Sequence, residues 1–513
     1  MKRTKLLDWD KASRRQMMAA TLGGCAAMTN ASLVSTIVNM TAVNSAMANQ
    51  GDFGSDYKAM VCLFLFGGND SYNMISPAEP DERVDYVEVR GGLASDPNVQ
   101  GGLALDENPA MNITDSVSGK QYMLHPSMTG VRDLYNAGEA TFVANIGSLV
   151  EPVTMEEFRQ NSKMLPVGLY SHSDLQQHWM TSKPQSRSEV KGWLGRLGDC
   201  IIDAGTAQRN TSISMNMSLG NVNMLQTGGS VIPYVITDSG AQEVGWYGPT
   251  WTEAKIFTTM TDEYLNRSYS NLMEETFAQQ NRTALNAAIE FNQATMQDSV
   301  KAMVDSSFTG DANGNLSSLE RDLRQVARTI AASGAVDLGT GTTLGQSRQS
   351  FFVSHGGYDN HDELINNQAA RLAEVDRAVS SFQAAMKSMN LDQDVVLFSA
   401  SDFARTLTTN GLGSDHAWGG NMVVVGGGLN GGKLYGTYPE SLRIGNPLDV
   451  EFDPNRPERS TRGRLLPTTA VDELACELAM WYGLENGSEM ELVLPNIRRF
   501  PSAASGAPLG MFT

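Results

Sequence analysis

Between Phe351 and Asp402 the chain reads as strand, glycine turn, long amphipathic helix and strand, and this order restricts the fold more than any other stretch. Phe351-Phe352-Val353 is a short apolar run of strand type that closes on Gly356-Gly357. Beyond it, Ile365, Leu372, Val375, Val379, Phe382, Met386 and Met389 recur at helical steps, so residues 362–389 form a helix with one apolar face. Val395-Val396-Leu397-Phe398 then begins a second strand with no polar alternation, the pattern of a strand covered on both faces. A long helix between two strands is a crossover, and a crossover joins parallel neighbours. The expected class is α/β with a mostly parallel sheet.

Other runs extend that sheet. Residues 59–66 are apolar throughout and end in Gly67-Gly68-Asn69-Asp70-Ser71, where glycine lets the chain turn sharply and Asp70 stands at the mouth of the sheet. Residues 140–147 and 422–425 read as further strands, and 470–481 as a closing amphipathic helix. Residues from about 200 to 335 differ. Apolar and Ala positions at helical spacing over 264–303, and again at Leu319, Leu323, Val326 and Ile330, mark a mostly helical insertion before a Gly/Thr/Ser-rich loop. At 513 residues, 41% hydrophobic and 19% charged, the chain suits one main domain that carries this insertion.

The N-terminus has the form of an export signal. Ser13-Arg14-Arg15-Gln16-Met17-Met18 is a twin-arginine pattern, followed by Ala/Thr/Met-rich residues and by Ala46-Met47-Ala48, a small-x-small cleavage signature. Residues 1–48 are expected to be a twin-arginine signal peptide and 49–513 the domain, exported folded to the periplasm or beyond. An ordinary secretion signal or an uncleaved anchor is the plainer alternative. No later run nears the roughly 18 apolar residues of a membrane span, so no stable span is expected. The net charge of −19 becomes −23 without residues 1–48, whose six Lys and Arg outnumber two Asp. Such acidity argues against nucleic acid and anionic membrane as partners.

Cysteine contributes little. Beyond Cys25, the chain holds Cys62, Cys200 and Cys476, an odd number without C-x-x-C spacing. Cys62 within a strand and Cys476 within a helix read as buried thiols, one disulfide being the alternative in an oxidising compartment. Gly426-Gly427-Gly428-Leu429-Asn430-Gly431 has G-x-G-x-x-G spacing after a strand-type run but leads into no helical pattern, and no organic cofactor is expected.

The chemistry gathers at strand ends. One strand delivers His355, Asp359 and His361 within seven residues, the next ends in Asp402, and a loop then brings Asp415-His416. All six histidines (His125, His172, His178, His355, His361 and His416) fall at expected strand ends, helix starts or Gly-rich loops. With Asp70, Asp359, Asp402 and Asp415 they form an oxygen and nitrogen donor set without thiolate, suited to zinc, manganese, magnesium or calcium. A hydrogen-bonded polar network, with Asp70 capping a turn, is the plainer account of the same residues. Tyr170-Ser171-His172-Ser173-Asp174 reads as a helix start. A hydroxyl of Ser171 or Ser173 there would meet an oxyanion or phosphoryl group at the positive helix end, or would simply cap the helix.

Leu65-Phe66-Gly67-Gly68-Asn69-Asp70, Tyr170-Ser171-His172, Gly192-Trp193-Leu194-Gly195-Arg196, Gly356-Gly357-Tyr358-Asp359-Asn360-His361, and Ser401-Asp402-Phe403-Ala404-Arg405-Thr406 with Gly413-Ser414-Asp415-His416 resemble the exported bacterial family called domain of unknown function 1501. The resemblance covers essentially the whole mature chain. That family is similar in turn to the alkaline phosphatase and sulfatase superfamily, which implies an α/β/α sandwich with a metal site at the strand C-termini. It also implies that Asp70 and Asp402 hold one ion, while Asp359, His361, His355 and His416 hold a second or bind the leaving oxygen. Asp402-Phe403 departs from the Asp-His of the superfamily, so Asp415-His416 becomes the natural source of the imidazole. Ala404 stands where the family usually has Gly. The resemblance further suggests a partner from a neighbouring exported family, domain of unknown function 1800.

These readings converge on an exported, metal-dependent hydrolase of phosphate or sulfate esters, acting on a small molecule or a polysaccharide. Two divalent cations would polarise the ester, Ser171, Ser173 or a water would attack, and Arg405 or a metal would neutralise the leaving oxyanion. His172, His178 and His125 are expected to bind substrate or to support the ligands. The rival class is a non-catalytic periplasmic binding or assembly protein that keeps the sandwich. Real catalysis needs His416 or His172 to close the site that Phe403 leaves open.

Overall fold

A computed structural model describes residues 56–203, 212–339, 341–457, 459–504 and 506–512, so the signal segment expected at 1–48 lies outside the described residues. Nine strands form the main sheet: β1 (Lys58–Phe66), β2 (Ala140–Gly147), β3 (Asn216–Ser218), β4 (Tyr234–Val235), β5 (Arg348–Gly356), β6 (Val395–Ser401), β7 (Gly420–Gly426), β8 (Leu434–Gly436) and β9 (Thr469–Ala470). Their order is β8-β2-β7-β6-β1-β5-β3-β4, with β9 also paired to β2. The apolar run of β1 takes a central place, parallel to β5 on one side and to β6 on the other. Alternate residues of β1 face two cores: Ala59, Val61, Leu63 and Leu65 face one, Met60, Cys62 and Phe64 the other. A strand buried on both faces has no use for polar alternation, and its sequence shows none.

Helices cover both faces. Six of them matter here: α1 (Ser71–Met74), α2 (His172–Thr181), α3 (Leu272–Thr295), α4 (Ser318–Ala331), α5 (Leu364–Ser388) and α6 (Val471–Trp481). Leu372, Val375, Val379, Phe382 and Met386 of α5 pack into the first core with Leu323, Val326 and Ile330 of α4. Val471, Leu474, Ala475 and Leu478 of α6 join Cys62 in the second. The molecule is thus an α/β/α sandwich. Cys62 and Cys476 are buried, and burial pushes the Cys476 thiol up to about 12. Residues 200–335 are not helical alone, because β3 and β4 lie within them and continue the sheet beyond β5. Among the described residues no helix is long and apolar enough to cross a membrane.

One strand runs against the rest. β7 is antiparallel to both β2 and β6. It therefore begins at the sheet end where β6 finishes, and the loop 402–419 stays at that end instead of crossing the molecule.

Candidate metal centre

The register of the three central strands decides which side chains meet. Leu65 lies level with His355 on one side and with Ser401 on the other, so the segments after β1, β5 and β6 leave the sheet together. The first two touch closely. Tyr358 donates its backbone N–H to Phe66 O at 3.2 Å, and a Cβ on Gly67, whose φ is +116°, would come within 2.4 Å of the Asp359 nitrogen. Only glycine permits that approach.

Asp359 is the hub. Arg405, itself buried, donates through Nη2 to Asp359 Oδ1 at 2.6 Å and to Tyr358 O at 3.2 Å. Partial burial raises the Asp359 pKa, but the Arg405 guanidinium and the neighbouring imidazoles outweigh it and hold the carboxyl below its ordinary range. Three histidines surround this carboxylate. His172 Nε2 lies 3.5 Å from Oδ2, while His361 Nε2 and His416 Nε2 lie 3.1 and 3.3 Å from Oδ1.

The opposite ring nitrogens carry the stronger signal. His172 Nδ1 is 2.6 Å from Asp402 Oδ2, His416 Nδ1 is 2.8 Å from Tyr170 O, and His361 Nδ1 is 3.3 Å from Asp415 Oδ1. Carboxylates and carbonyls only accept, so in the neutral rings of His172 and His416 Nδ1 carries the proton and Nε2 keeps a lone pair, whereas His361 has an acceptor at each nitrogen, Asp415 at Nδ1 and Asp359 at Nε2. The Nε2 atoms of His361 and His416 face each other at 3.0 Å, so either His361 donates an Nε2–H to His416 or the two rings share a cation. His172 Nε2 is buried and has no hydrogen-bond partner. One ligand atom from each of His172, Asp359 and His416 lies within 4.8 Å of the others. Imidazoles tied down by an outer carboxylate or carbonyl, with the free nitrogens turned on a shared carboxylate, fit a divalent metal.

Supporting contacts hold the imidazoles in place. Asp402 is fully buried, and its Oδ2 also accepts from Gln176 Nε2 at 2.9 Å, while Oδ1 has no partner. Tyr170 has a left-handed backbone, φ +72°, unusual for a side chain of that size. Its carbonyl is thereby engaged by His416, and the Arg464 guanidinium sits 4.0 Å from its ring centre while Nε donates to His416 O at 2.7 Å. Burial lowers the His416 pKa, and nearby Arg405 and His172 push the same way against the Tyr170 bond, which favours the neutral, ligating ring.

Several expected residues sit elsewhere. Asp70 is not among the groups facing Asp359: it pairs with buried Arg90, and its Oδ1 accepts the Asn73 N–H at 3.3 Å to cap α1. Asp70 pairs with Arg90, and Asp402 with His172. His355 is buried between Tyr358 Oη at 3.0 Å and Glu374 Oε2 at 2.8 Å. His125 accepts the Ser127 N–H at 3.1 Å and His178 lies 3.3 Å from Ser148 Oγ; burial brings both down to about 4, so they are neutral core imidazoles. Asp415 binds Arg462 at 3.3 Å besides His361. Ser171 occupies the N-cap position of α2, but its hydroxyl makes no capping bond and lies 3.2 Å from Ser173 Oγ. Gln176 and Arg464 are not singled out in the sequence, and Tyr170 stands there only as part of the Tyr170-Ser171-His172 motif, without a role of its own. Gln176 left a trace too, four residues after His172 and so on the same helix face.

The family described as "Protein of unknown function (DUF1501)" matches residues 57–443. No curated protein matches the sequence. Among solved structures, the lipoteichoic acid synthase LtaP from Listeria monocytogenes is similar at 8% identity and a TM-score of 0.31, over 88% of this chain and 80% of that one. Ps i-CgsB, solved in complex with k-i-k-neocarrahexaose, is similar at 10% identity and a TM-score of 0.30, over 85% of this chain and 74% of that one. Likeness at these TM-scores adds nothing to the reading of the cluster itself.

Proposed function

We propose, from the premise that this chain belongs to the family described as "Protein of unknown function (DUF1501)", that the cluster around Asp359 holds a divalent cation and that the protein hydrolyses phosphate or sulfate esters there. The observation that carries the reading is the shared orientation of three imidazoles, each with Nδ1 spent on an acceptor and Nε2 turned on one carboxylate. His172, Asp359, His361 and His416 would be the ligands, and Asp402, Tyr170 O and Asp415 keep the rings in the ligating tautomer. A bound divalent ion supplies Lewis acidity toward a nonbridging ester oxygen and lowers the pKa of a water.

The rest of the chemistry belongs to the chain. Arg405 keeps Asp359 ionised and supplies positive charge behind it. Ser171 and Ser173 flank His172 at the start of α2 and are the hydroxyls available for attack, with water the alternative nucleophile. Because Asp70 is committed to Arg90, the reading narrows to one principal ion in place of two. Export by the twin-arginine route, from the pattern in residues 1–48, would place this activity outside the cytoplasm.

The test is turnover of 4-nitrophenyl phosphate and 4-nitrophenyl sulfate by protein stripped with chelator and reloaded with zinc, manganese, magnesium or calcium. Nitrophenol release that depends on the metal and disappears in His172→Ala/His416→Ala is the expected result. Stoichiometric metal with no turnover of either ester would favour the non-catalytic binding protein.

A further inference from the structure

We infer that Arg456 and Arg459, together with Arg462, are a second binding element beside the metal cluster, one that grips a further sulfate or phosphate along a polyanionic polymer whose ester lies at the centre; this rests on the hydrolase reading. Arg456, Arg459, Arg462 and Arg464 fall within nine residues of a chain whose net charge is −19, and Glu458 is the one acidic residue in 454–464. Arg456, Arg459 and Arg462 are exposed. Among the described residues, neither Arg456 nor Arg459 has an ion-pair partner, whereas Arg462 pairs with Asp415 and Arg464 with Glu451 while also bonding the His416 carbonyl.

The loop is built onto the centre. Gly463, at φ +66°, lies against Leu407, and a Cβ there would come 2.7 Å from the Leu407 side chain. Leu407 N–H donates to Gly463 O at 3.2 Å and Thr408 N–H to Arg462 O at 3.1 Å. Arg462 then reaches Asp415 at 3.3 Å, and Arg464 reaches His416 O at 2.7 Å. The residues preceding this base form successive turns: Asn455 N–H donates to Asp453 Oδ1 at 2.9 Å, Arg456 N–H to Asp453 O at 2.9 Å and Arg459 N–H to Arg456 O at 3.0 Å. Arg456 and Arg459 thus stand exposed a few residues before the two arginines that touch the cluster.

Charge decides what such an arm would hold. A strongly acidic protein repels polyanions except where cations are concentrated, and guanidinium forks match the oxygen spacing of sulfate and phosphate. A lone small ester would need only the cluster. Exposed arginines beside it are useful to a substrate that carries further charged groups, such as a sulfated glycan or a phosphate-linked polymer.

The experiment measures binding by isothermal titration and turnover side by side, on wild type, Arg456→Ala/Arg459→Ala and Arg456→Lys/Arg459→Lys. Dextran sulfate and long-chain polyphosphate are the probes and separate the two sources of anion; unmodified dextran and polyglutamate are the controls. Wild type should bind at least one of the first two and neither control. The alanine pair should weaken that binding about tenfold and flatten its salt dependence, the lysine pair should recover part of it, and 4-nitrophenyl ester turnover should stay unchanged. Equal binding by wild type and the alanine pair, equal affinity for polyglutamate, or no polymer binding would overturn the inference. Ester turnover without polymer binding retracts this element alone. Polymer binding that needs Arg456 and Arg459, in a protein without ester turnover, supports the element and retracts the hydrolase reading.

Discussion

Replacing Asp402 with Asn isolates the buried carboxylate behind His172. Asp402 Oδ2 takes the His172 Nδ1–H at 2.6 Å and the Gln176 amide at 2.9 Å, which leaves the His172 Nε2 lone pair facing Asp359 at 3.5 Å. Asn has the same shape but a weaker acceptor, and with its NH2 toward the ring it would move the imidazole proton to Nε2 and block the ligand. Loss of an outer-shell partner of this kind costs roughly ten- to a hundredfold in metal affinity, or about 1.4 to 2.8 kcal/mol. The assay is isothermal titration of zinc into chelator-stripped wild type and Asp402→Asn, with urea unfolding of both apo proteins as the control for fold. A variant that unfolds at the wild-type midpoint yet binds zinc within about twofold of wild type would refute the orienting role.

Three further outcomes follow from particular contacts. Asp70→Asn leaves the buried Arg90 without its counter-ion and should cost about 3–5 kcal/mol in urea unfolding, while the folded protein keeps its metal; loss of metal at unchanged stability would make Asp70 a ligand after all. Gly67→Ala, at φ +116° and 2.4 Å from the Asp359 nitrogen, should cost about 1–3 kcal/mol and weaken metal binding as Asp359 is displaced; wild-type affinity and stability would contradict the close approach of the two loops. Asp472 is buried, and burial raises its pKa from 3.8 to about 7 against the Ser182 hydrogen bond and the Arg196 charge. Its folded pKa lies above its unfolded one, so its contribution is fully present below the unfolded value and is lost as pH rises through about 7. Unfolding curves at low and high pH should therefore diverge between wild type and Asp472→Asn by up to about 4 kcal/mol, and parallel pH dependence would contradict the buried carboxyl's role.

The sheet was legible because its central strands are buried on both faces. Residues 59–66 and 395–398 could hardly be anything else, and the helix expected over 362–389 is observed as Leu364–Ser388. Asp359, His361 and His416 were legible as donors because they follow Gly-Gly turns or lie in a polar loop. What periodicity does not encode is which nitrogen of a histidine is occupied, or whether an aspartate at a strand end has an arginine waiting for it. Asp70 and Arg90 are 20 residues apart in sequence, and only the packing of the segment after α1 brings them together. The return of Asp415-His416 to the cluster depends on β7 being antiparallel, a direction that the apolar run Met422-Val423-Val424-Val425 does not specify. Residues 216–218 and 234–235 are too short to show a strand pattern and acquire theirs from pairing with β5 and with each other.

The claim that His172, Asp359, His361 and His416 form a metal centre is tested most directly by metal content per folded chain. Elemental analysis after loading with each divalent cation and gel filtration should find one bound ion in wild type and none in His172→Ala/His416→Ala, both with the same far-ultraviolet circular dichroism. Wild type without bound metal under any loading, or a double variant that keeps its ion, would contradict it.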